Sequence, residues 1–71
     1  MSDLLRFFEY KHLPPLLQAV SRPFHNLAHL LNDTVPDSLE KEAGLRKLLE
    51  SKDCYVRAAL PIPNAAPPLV D

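Results

Sequence analysis

Six apolar residues, Leu13, Leu17, Val20, Phe24, Leu27 and Leu31, recur at spacings of four, three, four, three and four. That repeat puts them on one stripe of an α-helix and reads as a coiled-coil-like seam, widened by Leu16 and Leu30. It predicts a helix from about Pro14 to Asp33, with Pro14 and Pro15 suited to its start because their missing N–H groups fall where no intrahelical acceptor exists. Pro23 interrupts the seam. Within a helix it deletes the bond to the Ala19 carbonyl, so a kink or break is expected near Ser21, which would cap a new helical segment.

The run Asn32 to Pro36 ends the pattern. Asp37 reads as the N-cap of a second helix, with Glu40 three residues on in a capping-box variant. This helix is expected from about Ser38 to Leu60, with Leu45, Leu48, Leu49, Val56 and Ala59 as its apolar stripe and Pro61 as its stop. Lys52 falls on or beside that stripe, either snorkelling outward or lining an opening between protomers. Glu42, Arg46 and Glu50, and also Asp53 with Arg57, stand four apart and suit surface ion pairs. Residues 2–12 suit a short helix or an ordered arm. The expected organisation is a helical-hairpin domain over 1–60 and a proline-rich tail over 61–71. Two helices of about 20 residues joined by a short loop lie antiparallel. A core of about 60 residues is marginal, and a lone two-helix hairpin has one apolar layer to offer. The expected fold is therefore all-α: an antiparallel helical hairpin that assembles into a homo-oligomeric bundle.

Several function classes are disfavoured. Eight basic and nine acidic residues give a net charge of −1, which argues against a cationic face for nucleic acid. No apolar run approaches the ~20 residues of a membrane span, and no secretory leader is expected. The single cysteine, Cys54, excludes an internal disulfide and reads as a buried thiol. Gly44 is the sole glycine, so no glycine-rich phosphate loop exists. Ser21, Ser38, Ser51 and Cys54 have no catalytic partner implied by spacing, and no enzyme is expected. His25 and His29 share a helix face but lack an evident third ligand, so they read as polar-face histidines flanking the seam and no metal or cofactor is expected. The run Glu9, Tyr10, Lys11, His12 sets an aromatic ring, an ammonium and an imidazole beside a helix start. Such a group can stack a base and hold a phosphate, although from the residues alone a Tyr packed on the hairpin beside two solvated polar residues is the preferred reading.

From Tyr10 to about Leu60 the chain resembles the small helical-hairpin domain of phage-encoded sponges, which defeat the CBASS and Thoeris immune systems by sequestering their cyclic nucleotide signals. The resemblance rests on the aromatic-plus-His entry (Tyr10, His12), the LAHLL run, the turn PDSLEK and the ending VRAAL. It implies a homo-oligomer, hexameric, with ligand pockets between protomers, no catalysis, and action in the cytoplasm of the infected bacterial host. The implied ligand is a cyclic oligonucleotide, a cyclic dinucleotide or trinucleotide. Tyr10 matches the base-stacking aromatic, with Lys11 and His12 beside it. Arg22 or His25 matches a phosphate-binding position on the first helix. Arg57 matches an arginine serving a second pocket at a symmetry axis. Pro23 and the proline-rich tail depart from the family pattern. The alternatives are a sponge for cyclic ADP-ribose isomers, a non-catalytic phage protein-interaction module and, ranked below these, a nucleic-acid-binding hairpin.

Overall fold

A computed structural model describes residues 3–60; the expected proline-rich tail lies outside the described residues. A six-residue 3-10 helix, Asp3–Phe8, leads into α1, Pro15–Thr34, and α2, Leu39–Ala59. No strand occurs among the described residues. The two long helices pack on each other and the 3-10 helix packs on both. The hairpin is antiparallel: Lys41, early in α2, reaches Asn32 late in α1, while Tyr55, late in α2, lies against Phe24 in the middle of α1.

α1 is continuous through Pro23, and the expected break near Ser21 is absent. Ser21 is no cap; it is fully buried on the inner face. Pro23 lies on the exposed side, where water can serve the carbonyl that the proline leaves without a donor. At the start of α2 the cap is Ser38, one residue later than expected. Its extended backbone lets the hydroxyl accept from the Lys41 N–H at 3.0 Å. Asp37 instead pairs with the Lys41 ammonium at 2.9 Å.

The largest correction concerns the core-facing side of α1. The fully buried cluster is Phe8, Ala28 and Leu45, with Leu4, Leu5, Phe24, Leu48 and Leu49 packed round it. On α1 the inner face therefore runs through Ser21, His25, Ala28 and Asn32. At 100° per residue this lies roughly 90° round the helix from the sequence seam. Small side chains at Ser21 and Ala28 form a notch, and Phe8 seals against Ala28 and Leu45. Leu27 and Leu31 of the seam are left 42% and 37% exposed, and Leu16 and Leu30 59% and 58%. The α2 stripe is as read from sequence, centred on Leu45. Cys54 is exposed, contrary to expectation. Nine residues beyond Leu45, it lies on the opposite face of α2.

Candidate ligand-binding site

The segment between Phe8 and Pro15 carries the aromatic-basic run, and one side chain organises it. Gln18 Nε2 donates to the Leu13 carbonyl at 2.7 Å and to the Lys11 carbonyl at 3.3 Å. A tight turn, Leu13 N–H to the Tyr10 carbonyl at 3.0 Å, reverses the chain ahead of α1. Tyr10 and His12 consequently face different cavities.

The first cavity holds Tyr10. It measures about 310 Å³ and is lined by Tyr10, Pro15, Gln18, Ala19 and Arg22. The Tyr10 ring meets His25 edge to face, centroids 5.0 Å apart and planes at 68°. His25 in turn is fixed by the Phe8 carbonyl, 3.2 Å from Nδ1. A carbonyl only accepts, so Nδ1 carries the proton. An aromatic ring, a guanidinium and a side-chain amide thus share one concavity.

The second cavity, about 300 Å³, lies where the 3-10 helix meets the end of α2. Its charged lining is Arg6, Lys52 and Arg57 against Glu9 and Asp53, with His12 at the wall. Lys52 explains its place on the apolar stripe here: its side chain is only 12% exposed and Nζ donates to the Phe7 carbonyl at 2.6 Å. That carbonyl belongs to the last turn of the 3-10 helix, which ends without an acceptor-satisfying partner of its own. The ion pair of Asp53 is with Lys52 at 3.8 Å and the Arg57 guanidinium reaches the Cys54 sulfur at 3.5 Å, so the expected Asp53–Arg57 pair is replaced.

Of the six residues singled out from sequence, Tyr10 and Arg22 share one cavity and His12 and Arg57 the other. His25 braces Tyr10 from behind. Lys11 is exposed and lines neither cavity. Arg6 and Gln18 escaped sequence reasoning. Arg6 belongs to a segment whose packing position was open, and Gln18 carries no motif. His25 and His29 face the 3-10 helix and the segment after it rather than a solvated polar side, and one donor atom each of Glu9, His25 and His29 lies within 4.8 Å of the others. No helix among the described residues is long and apolar enough to cross a membrane. No family model, no curated protein and no solved structure matches this chain.

Proposed function

We propose that this protein is a phage immune-evasion sponge: a homo-oligomer that binds cyclic oligonucleotide second messengers in the infected host and holds them without cleaving them. The observation that carries this reading is the sharing of one cavity by Tyr10 and Arg22, with His25 braced against the ring. Stacking contributes about 1–3 kcal/mol per base. A charge-assisted bond from a guanidinium to phosphate is about twice as strong as a neutral hydrogen bond. Each cavity alone, near 300 Å³, sits at the low end of ligand-site volumes. A cyclic dinucleotide has two bases and two phosphates, so a site shared by two protomers suits it, each copy supplying one Tyr10 and one Arg22.

The apolar surface left on α1 supports the oligomeric part of this reading. Leu16, Leu27, Leu30 and Leu31 are each more than a third exposed on one helix face. Exposed leucines gathered on one helix face suit an association surface. Arg57 and His12, in the second cavity, suit a second anionic site completed by symmetry copies.

Isothermal titration of cyclic GMP-AMP and of cyclic oligoadenylates tests the reading. Saturable binding is expected, weakened roughly 5- to 100-fold by Tyr10→Ala, with the helical circular-dichroism spectrum unchanged. Absence of heat with every cyclic nucleotide, cyclic ADP-ribose isomers included, overturns it.

A further inference from the structure

We propose that Glu9, His25 and His29 form a binding site for one zinc-class divalent cation per chain. The proposal is independent of the nucleotide reading. The histidines stand one helical turn apart on α1, ring centroids 4.3 Å from each other, and the chain folds Glu9 back over them. The donor atoms lie within 4.8 Å of one another. Ligands on a tetrahedral zinc with bonds of 2.0–2.1 Å stand about 3.4 Å apart. Side-chain adjustment must close the difference, and Glu9, which is exposed, has room to change rotamer.

Two further features point to an ion. His25 commits its Nδ1–H to the Phe8 carbonyl, which leaves Nε2 with the available lone pair. A ligating imidazole is ordinarily oriented in this way, by donating its other N–H to a backbone carbonyl. His29 Nε2 is buried with no hydrogen-bond partner. An imidazole nitrogen in that state is costly to bury, and a metal ion would satisfy it. Two imidazoles and one carboxylate suit zinc and its neighbours; magnesium and calcium prefer all-oxygen shells. Three protein ligands leave the fourth tetrahedral position to water or another small ligand.

The test is calorimetric titration of EDTA-treated full-length protein with Zn²⁺, and visible spectroscopy with Co²⁺ as the reporter of geometry. One equivalent of Zn²⁺ per chain and intense tetrahedral Co²⁺ bands are expected. Glu9→Gln and His29→Gln should each weaken binding by about tenfold or more, and Cys54→Ser should leave it unchanged. Glu9 is exposed, so its variant tests the site without putting the fold at stake. Failure to bind Zn²⁺ stoichiometrically, binding that survives Glu9→Gln, or binding lost in Cys54→Ser overturns the proposal.

Discussion

Lys41 ties the start of α2 to the end of α1 and the turn after it through three hydrogen bonds. Its side chain is only 6% exposed and its ammonium donates to the Asn32 carbonyl at 2.9 Å, the Val35 carbonyl at 2.7 Å and Asp37 at 2.9 Å. The two carbonyls belong to the end of α1, where backbone acceptors lose their intrahelical donors. A cation there also faces the negative end of the α1 dipole. Lys41→Met should therefore cost about 1–3 kcal/mol in urea denaturation, although Met fits the helix. Asp37 is the linked titrating group. The hydrogen bond from Lys41 holds its carboxyl below the usual aspartate value. A lowered folded value means that the pair stabilises above the ordinary aspartate range, near pH 3.9, and that this contribution fades as pH falls through the lowered value. The stability difference between the protein and its Asp37→Asn variant should be present near neutral pH and vanish in acid. Thermal melts over a pH series check this; a difference that grows toward acid contradicts it. In the sequence, Asp37 was legible as a cap by residue type. Only the geometry shows the hydroxyl of Ser38 taking that role, since both residue types cap and they are adjacent.

At the scale of elements, the helix ends were legible and the contact face of α1 was not. Prolines at 14, 15 and 61 and the polar turn at 32–38 punctuate the chain whatever its tertiary setting. The inner face of α1 is a different problem. Leu16, Leu17, Val20, Phe24, Leu27, Leu30 and Leu31 cover so wide an arc that periodicity alone permits several docking faces. The face used carries small residues: Ala28, against which Phe8 and Leu45 pack, and Ser21, which is fully buried. The apparent seam was then left at the edge of the contact, with Leu13, Leu17, Val20 and Phe24 half-buried and Leu27 and Leu31 exposed. The segment after the 3-10 helix made the candidate site partly illegible: Tyr10 and Arg22 were marked by residue type, but the separation of His12 from Tyr10 follows from the Tyr10–Leu13 turn and the Gln18 clamp. In α2, Gly44 is exposed, has no positive φ, and a Cβ there would meet nothing within 4 Å. Gly44→Ala should raise stability by about 0.5–1 kcal/mol, read as a higher urea midpoint at unchanged slope. A loss of stability would mean that this face is closely packed against another chain.

At the scale of the whole molecule, one hairpin buries three hydrophobic residues while eight large ones stay exposed among the described residues. That imbalance is the physical argument for the proposed self-association, and the exposed Leu16, Leu27 and Leu30 of α1 are the surface on which to test it. Light scattering coupled to size exclusion should give a mass that is a multiple of the chain, and Leu30→Lys should lower it. A wild-type monomer contradicts this. Under the proposed function, the Tyr10–Arg22 cavity beside this face is where a nucleotide would be held.

The most direct measurement incubates excess protein with cyclic GMP-AMP, passes the mixture over a membrane that retains protein, and then denatures the retained fraction. Sequestration without turnover requires the free nucleotide to fall and the bound nucleotide to be recovered intact by mass spectrometry in matching amount. Free nucleotide at its starting level, for this and every other cyclic nucleotide tried, or recovery as linear products, would contradict it.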